Sequence, residues 1–199
     1  MIERFQDWGE NGPLPEDGVV ATTDRSAALI IANTPGEVPP IGLVGGDLRR
    51  TMGGRRNRGQ LRHPDAARAV VDYGVVRYED TEMPFVAHVV ARRSMLRGRI
   101  IAVMNAAFVG SWNVAPRAHP GDGKFDVLDV TMSMTDRLKA RSRLSSGSHV
   151  PHPDIAQRRG DALEFSLDKP LDLWVDGKQL ARVDSFSIEL QPEALAVVV

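Results

Sequence analysis

The sequence predicts an α+β fold, in which an irregular arm (residues 1–18) and a reduced α/β unit (residues 19–74) precede an antiparallel β-sandwich (residues 75–199). Two observations carry this prediction. Up to residue 74, short apolar runs alternate with helical periodicity and with Pro-Gly or Gly-Gly turns, an order that favours a small α/β unit. From Val75 onward, apolar residues recur at every second position between regular turns, which indicates antiparallel strands.

The first unit is defined by its apolar runs and by the residues that end them. Gly and Pro recur through the arm, which is therefore predicted to be irregular. Asp24 or Ser26 can cap a helix that runs through Ile31. The other predicted elements are strands over residues 19–22 and 41–44, a short helix over 47–52, and a helix over 66–73 that starts after His63-Pro64-Asp65 and ends at Gly74.

The sandwich prediction depends on alternating apolar residues in runs that regular turns separate. One segment of helical periodicity, residues 135–144, interrupts these runs. The predicted strands cover residues 75–78, 85–92, 99–104, 125–132, 162–167, 171–175, 185–190 and 195–199.

Composition narrows the class of protein. Hydrophobic residues make up 42% of the 199-residue chain, and a net charge of −1 gives no global field that would select nucleic acid or membranes. The chain contains no cysteine, which excludes disulfides and thiolate chemistry and suits a reducing compartment. The longest apolar run, residues 27–32, is too short to span a bilayer. We therefore expect a cytoplasmic protein without a transmembrane segment.

Residues 105–130 form the most distinctive stretch of the chain. An apolar strand leads into a turn at Pro116 and a second turn, P-G-D-G, at residues 120–123, before an alternating strand follows. The stretch places two carboxylates, Asp122 and Asp126, beside a rigid turn. These carboxylates could carry chemistry, and a charged turn capped by aspartates is the structural alternative.

This stretch resembles the segment N-x-x-x-x-G-G-x-x-x-A-P-x-A-x-x-D-D-G-x-L-D of diacylglycerol kinases and related bacterial lipid kinases. Downstream, residues 146–153 resemble the family's G-x-H-x-x-H-P motif, and residues 192–199 resemble its closing P-x-A-L-x-V strand. Gly121 stands where the family often carries the first of two acids. The residues in register with the first motif are Asn105, Gly110, Ala115, Pro116, Ala118, Asp122, Gly123 and Asp126.

The resemblance implies an α/β nucleotide domain followed by a β-sandwich, which is the order that the periodicity predicts. Only the later portion of the family's α/β domain has a counterpart here, so residues 19–74 would be a reduced nucleotide-type unit. The resemblance further implies ATP and Mg²⁺ as cofactors and a lipid as substrate. It makes Asp122 a catalytic candidate, and Asp122 and Asp126 candidate metal ligands.

Two nucleotide motifs of the family are altered. Where the family has a G-G-D-G-T phosphate turn, this chain has T-T-D-R-S at residues 22–26, so the aspartate is kept and the glycines of the turn are lost. Asp24 is therefore either a catalytic candidate or a helix cap. The second motif, G-T-x-N-D-x-A-R-x-L-G, is reduced to G-G-D-L-R-R-T-M-G over residues 45–53. Its candidates for nucleotide or phosphate binding are Gly45, Gly46, Asp47 and Arg50, in a glycine turn of a kind common before helices.

Lys178 is the third departure, because it follows Asp176-Gly177 where the family has D-G-E. The resemblance makes that glutamate the base that accepts the proton of the lipid hydroxyl. A lysine side chain is ordinarily protonated at neutral pH and cannot accept that proton. Lys178 therefore occupies a catalytic position with the wrong charge, or it is an exposed hairpin tip.

A run of arginines without an acid lies between residues 49 and 62. Arginine forms bidentate contacts with phosphate, so Arg55, Arg56 and Arg58 are predicted to form a patch for anionic ligands or an anionic membrane surface. The aromatic residues that would stack on bases are absent from this run, which disfavours nucleic acid. A solvated loop is the structural alternative.

The sequence therefore predicts a shortened, divergent member of the diacylglycerol/lipid kinase family. We expect it to bind a phosphate-bearing or lipid-like ligand, with phosphoryl transfer weakened or lost. Two alternatives stay open. One is an active ATP- and Mg²⁺-dependent lipid kinase that uses Asp24, Asp47, Asp122 and Asp126, and the other is a structural module that assembles as a homodimer.

Overall fold

The computed structural model describes residues 9–54 and 58–199, with the backbone alone at residue 58. The fold is mostly antiparallel β-sheet with few helices. The helices are α1 (Asp24–Asn33), α2 (Asp47–Thr51) and α3 (Met134–Arg141), with 3₁₀ turns at Arg58–Arg62 and Leu144–Ser146. The strands are β1 (Glu10–Asn11), β2 (Val19–Ala21), β3 (Ile41–Leu43), β4 (Ala67–Tyr78), β5 (Thr81–Phe85), β6 (His88–Arg92), β7 (Ile100–Met104), β8 (Phe108–Val109), β9 (Trp112–Asn113), β10 (Phe125–Val130), β11 (Ile155–Gly160), β12 (Ala162–Val175) and β13 (Lys178–Val198).

One sheet of eleven strands contains every described strand except the small β8–β9 hairpin. Its main order is β1-β4-β13-β12-β6-β7-β10-β11, with β5 paired to β4, and with β3 lying between β13 and β2. Within the described sheet the β2–β3 and β3–β13 pairs are parallel and the remaining pairs are antiparallel.

The sheet folds over so that its ends face each other. Phe85 of β5 and Phe125 of β10 lie far apart in strand order, yet their ring centroids are 5.4 Å apart. Gly74 of β4 makes room for this contact, because a Cβ at residue 74 would lie 2.2 Å from the Phe85 ring. The main hydrophobic core surrounds these rings and draws on β4, β6, β7, β10, β12 and β13. This arrangement matches a β-sandwich.

The helix predicted over residues 66–73 is wrong. These residues begin β4, in which Val71 pairs with Leu195 of β13. The alanines of this segment favour a helix, but Val70 and Val71 are β-branched, and the adjacent long strand satisfies the backbone groups. Tertiary pairing therefore overrides the local propensity.

Several other boundaries differ from the predicted ones. The predicted strand over residues 85–92 is split between β5 and β6. The segments predicted as separate strands at 162–167 and 171–175 are one strand, β12, as are 185–190 and 195–199 in β13. Strand β11 has the sequence I-A-Q-R-R-G, which lacks apolar alternation, so periodicity did not predict it.

The parallel part of the sheet carries α1 and α2. Ala27 and Ile31 of α1 pack with Ile41 and Leu43 of β3 in a second core that also includes residues of β4 and β13. Strand β4 runs through residues 74 and 75, where the sequence analysis places the boundary between its two units, so that division stays a prediction. Within residues 9–54 and 58–199, no helix has the length and apolar character needed to cross a bilayer.

Candidate functional site

The start of α1, where the sequence predicts an altered phosphate turn, has amides that are already hydrogen-bonded. The Ser26 hydroxyl accepts hydrogen bonds from the amides of Thr22 and Thr23, each at 3.0 Å, and donates to the Thr23 carbonyl at 2.8 Å. The Ser26 amide donates to Thr23 Oγ1 at 3.0 Å, which completes a capping box. Side chains of the chain itself therefore satisfy three amides at this turn.

Asp24 extends from the start of α1 to the start of α2. Its buried carboxylate accepts hydrogen bonds from the amides of Asp47 (2.5 Å) and Leu48 (3.1 Å). Gly46 permits this approach, because its φ is +100° and a Cβ there would lie 2.3 Å from Asp24 Oδ1. Gly45 is also confined, since its Cβ would lie 2.4 Å from the Thr22 carbonyl oxygen. The Asp24 carboxylate thus takes the place of an anion at this helix start.

Asp47 joins α2 to the sandwich. Its Oδ2 lies 3.1 Å from Nε2 of the buried His88, and its carboxylate accepts the Gly110 amide at 2.9 Å. Arg50, one turn further along, donates to the Gly110 carbonyl and lies over the Phe108 ring, 4.1 Å from its centroid. Two of the predicted phosphate-binding residues, Asp47 and Arg50, therefore hold α2 against the β8–β9 hairpin.

Asp176 fills the break between β5 and β6. Its carboxylate accepts the amides of Val86 and Ala87 at 2.9 Å and that of His88 at 3.0 Å. Asp176 and Gly177 form the turn between β12 and β13 with positive φ at both residues, and Lys178 follows as an exposed side chain. The structure thus brings Asp24, Asp47, His88 and Asp176 into one buried cluster and leaves Lys178 at an exposed hairpin end.

The pKa values of Asp24, Asp176 and His88 are all raised in this cluster. Burial and then the nearby Asp176 carboxylate raise the pKa of Asp24 to about 7, although hydrogen bonds from the amides of Asp47 and Leu48 oppose the shift. Burial likewise raises the pKa of Asp176. For His88, burial opposes the charged form, but the hydrogen bond to Asp47 and the charge of Asp176 outweigh it and raise its pKa. Protonation of these groups therefore favours the folded cluster.

Asp72 and Asn105 connect this cluster to the turn at residues 120–123. Asn105 Nδ2 donates to the carbonyl oxygens of Asp72 (2.8 Å) and Val86 (2.9 Å). The Asp72 carboxylate accepts the Gly123 amide at 2.8 Å and the Glu193 amide at 2.8 Å. Burial raises the pKa of Asp72, since these two amides only partly offset the loss of solvation. The family-like asparagine is therefore a buried structural link between strands.

Asp122 and Asp126, the predicted metal ligands, share Arg159 of β11. Arg159 Nη2 pairs with Asp122 Oδ2, and Arg159 Nε lies 3.4 Å from Asp126 Oδ1. Burial raises the pKa of Asp126, while Arg159 acts in the opposite direction. Asp126 Oδ2 is buried and has no hydrogen-bond partner in the described part of the chain. A search of the described residues finds no group of three or more His, Asp or Glu side chains that could hold a metal ion.

Two adjoining cavities lie beside this pair, on the side of the sheet where α3 packs. One, of about 200 Å³, is lined by Asp126, Arg117 and Pro116 among others. The second, of about 150 Å³, has an almost entirely apolar lining and shares Val114 and Leu128 with the first. Its lining includes Met95, Leu96, Ile100, Trp112, Ala140 and Ile155. A groove with a polar end and an apolar end results.

His149 lines the apolar cavity and is buried. Burial lowers its pKa, although the hydrogen bond to Val114 opposes that shift, so the ring is neutral at pH 7. Its Nε2 lies 3.1 Å from the Val114 carbonyl oxygen and must donate to it. Nδ1 is then an acceptor, and it has no partner among the residues that the structure describes.

Some members of this site were predictable from sequence patterns and others were not. Of the anionic-ligand patch, Arg55 and Arg56 and the side chain of Arg58 lie outside the described residues. His88 was missed because it sits within an apolar strand, and Arg159 because β11 was not predicted. No local pattern shows that His88 meets Asp47, 41 residues away.

The chain is similar to known proteins in sequence and in fold. The family model described as the YegS C-terminal NAD kinase beta sandwich-like domain matches residues 49–199. Two structures of a protein assigned as a diacylglycerol kinase from Bacillus anthracis str. Sterne each have a TM-score of 0.71, with 12% and 13% identity, over 92% of this chain and 78% of theirs. A diacylglycerol kinase structure from the same organism has a TM-score of 0.63 at 13% identity, over 92% of this chain and 76% of its own. The comparison with curated proteins finds no match.

Proposed function

Because the chain belongs to the diacylglycerol kinase-like lipid kinase family, with its YegS C-terminal NAD kinase beta sandwich-like domain at residues 49–199, we propose that it binds a lipid-like or phosphate-bearing ligand and transfers phosphate from ATP weakly or not at all. The proposal has two parts, a ligand groove that is kept and a nucleotide site that is degraded. We place this binding protein in the cytoplasm, where a cysteine-free chain suits the reducing conditions.

The degraded nucleotide site is inferred from the hydrogen bonds that the backbone amides make at the starts of α1 and α2. Phosphate binding at such sites depends on backbone amides that point at the ligand. Here side chains of the chain itself bind five of these amides, those of Thr22, Thr23, Ser26, Asp47 and Leu48. A triphosphate would have to displace the Ser26 hydroxyl and the buried Asp24 carboxylate. Both displacements leave polar groups without partners, at a cost of about 1–3 kcal/mol each.

The proton acceptor is a second obstacle to transfer. Phosphoryl transfer to a hydroxyl needs a group that takes the proton. Lys178, which the resemblance puts at the position of that group, is an exposed lysine and not a carboxylate. The neighbouring Asp176 carboxylate is buried and binds three backbone amides, so it is committed to the fold.

The groove beside α3 supports the first part. Its apolar end suits a hydrocarbon chain, and its polar end, at Arg117 and Asp126, suits a headgroup. We assign His149 Nδ1 as the acceptor for a ligand hydroxyl, because His149 lines the apolar cavity and its buried Nδ1 lacks a partner among the described residues.

Calorimetry and native mass spectrometry test the two parts separately. We expect no heat of binding from Mg-ATP and no phosphorylation of diacylglycerol, together with a co-purified lipid in the native mass spectrum. Ala140→Trp, which fills the apolar cavity, should remove that lipid, whereas Thr135→Trp, on an exposed position of the same helix, should keep it. A low-micromolar dissociation constant for Mg-ATP, or measurable turnover, would establish the kinase alternative.

One observation favours that alternative. Asp126 Oδ2 is buried without a partner in the described residues, and it lines the polar cavity beside Asp122, so a cation that displaced Arg159 would find two carboxylates. Titration of Mg²⁺ against the Arg159→Gln variant would detect such a site. The homodimer alternative is checked by solution mass: a dimer that binds neither lipid nor ATP would favour a structural module.

A further inference from the structure

We propose that the surface formed by the loop at residues 93–98, by helix α3 and by the two residues that follow this helix docks onto an anionic lipid bilayer. Its apolar members are Met95, Leu96, Met134 and Leu138, and its basic members are Arg93, Arg97, Lys139, Arg141 and Arg143; we refer to these nine residues as the docking surface. These nine residues do not include the arginines at residues 55–58.

Exposed apolar side chains are concentrated on the docking surface. Seven large hydrophobic side chains are exposed among the described residues, and four of them lie on these two segments. Leu138 is 52% exposed, Met134 and Leu96 are each 44% exposed, and Met95 is 41% exposed. Single exposed hydrophobics are normal on a protein surface, but four on two segments that Arg137 joins indicate a partner.

Arg137 holds the two segments together. Its buried guanidinium donates from Nε to the Met132 carbonyl at 3.0 Å and from Nη1 to the Met95 carbonyl at 3.3 Å. Its Nη2 donates to the Gly98 carbonyl. Both segments are therefore bonded to one side chain, so their apolar residues form a single fixed surface.

The charge on these segments identifies the partner as an anionic surface. Residues 93–98 and 134–143 carry five exposed basic side chains and one acid, Asp136. Asp136 is already paired, with Lys139 Nζ at 3.4 Å and with the Ser133 hydroxyl at 2.7 Å. The whole chain has a net charge of −1, so this excess of positive charge is local.

A bilayer fits this combination better than a protein surface does. Aliphatic side chains of this size enter the boundary between headgroups and acyl chains, while adjacent lysines and arginines contact lipid phosphates. Met95 and Leu96 also line the apolar cavity, so that cavity opens at the docking surface. A hydrocarbon chain could pass from the membrane into the cavity without crossing water. Docking itself does not require an occupied cavity, so the two proposals can fail independently.

Co-sedimentation with vesicles tests the docking surface. We expect the wild-type protein to sediment with vesicles of phosphatidylcholine and phosphatidylglycerol at low salt, and much less with phosphatidylcholine alone or at high salt. The double variant Leu96→Ser/Leu138→Ser should lower the partition coefficient at least about tenfold, because apolar contact is lost. Charge reversal at Arg97, Lys139 and Arg143 to Glu should abolish binding to the anionic vesicles.

Leu29→Ser is the matched control, because Leu29 is 41% exposed on α1, away from the docking surface, and this variant should bind vesicles like wild type. The proposal is overturned if wild type does not sediment, or if the apolar and charge-reversal variants both bind like wild type. It is also overturned if the double variant changes solution mass without changing vesicle binding, since the surface would then join two copies of the chain.

Discussion

Position 46 favours glycine for two reasons, its backbone conformation and the space around its Cα atom. Its φ of +100° and ψ of 170° lie in a region that only glycine reaches readily, and a Cβ would lie 2.3 Å from Asp24 Oδ1. The Asp24 carboxylate binds the amides of the next two residues, Asp47 and Leu48. The contact between α1 and α2 therefore depends on the absence of a single side chain.

Gly46→Ala should lower the free energy of unfolding by roughly 2–4 kcal/mol, because backbone strain and steric overlap with Asp24 add together. Gly123→Ala separates the two effects, since Gly123 has a φ of +73° and no atom within 4 Å of an added Cβ. That control should lose only about 1 kcal/mol. Urea denaturation measures both, and equal losses would mean that Asp24 moves aside without cost.

At the scale of elements, the β12–β13 hairpin presents Lys178 to solvent. No residue of this hairpin lines the two cavities of the groove, so the prediction rests on the position that the family resemblance gives Lys178, where its charge should favour a ligand that is already phosphorylated. Wild type should then bind phosphatidate more tightly than diacylglycerol, and Lys178→Glu should reverse that preference. Lys169→Glu, an exposed lysine of β12, is the matched control. Equal affinities in wild type and Lys178→Glu would mean that this side chain does not contact the ligand.

The segment that contains Arg55, Arg56 and Arg58 carries a separate prediction of binding to anionic phosphate groups. Changing all three residues to Gln should reduce sedimentation with anionic vesicles at low salt, because phosphate contacts are lost. Combining this variant with Leu96→Ser/Leu138→Ser distinguishes one membrane contact from two. If the triple variant binds like wild type, the arginines belong to a solvated loop.

Element by element, the sequence was informative where local chemistry decides the structure. Alternation of apolar residues correctly located β6, β7 and β10, and the Asp176-Gly177 pair correctly indicated a hairpin. The helix prediction for residues 66–73 failed because these residues form a strand through pairing with β13, which lies over a hundred residues away in the sequence. The alanines of the segment give no sign of that pairing.

The site was predictable only in part, for the same reason. Asp24 was identified from its motif, but the prediction that it caps α1 is wrong, because Thr23 is the N-cap of α1 and the Asp24 carboxylate binds two amides at the start of α2. Its amide partners on α2, the His88 contact and the Arg159 bridge all join residues that are distant in sequence. A side chain that meets its partner only through the fold leaves no periodic signal in the chain.

For the whole molecule, the buried acids and His88 set the dependence of stability on pH. The pKa of Asp24 rises from 3.8 to about 7 on folding, so its stabilising contribution is complete below pH 3.8 and is lost as pH rises to about 7. The raised pKa of His88 means that its contribution is complete below 6.5 and is lost above that value. The cluster should therefore be more stable at pH 6 than at pH 9.

The Asp24→Asn variant tests this assignment. It removes one titrating group, so the fall in unfolding free energy between pH 5 and pH 7 should become shallower by up to ~1.4 kcal/mol per pH unit. Asp161→Asn, at an exposed aspartate, is the control and should leave the slope unchanged. A wild-type protein whose stability rises from pH 6 to pH 9 would contradict the proposed protonation of the cluster.

Strand β13 covers 21 residues, with one irregularity in its pairing with β4 between Gln191 and Leu195. Its first half pairs with β12, its second half pairs with β4, and its last residues pair in parallel with β3. A rigid-body hinge between the helical part and the sandwich would have to bend or tear this one strand. Hinge closure is therefore a costly motion for this chain, and amide protons along the centre of β13 should exchange with solvent only when the entire protein unfolds.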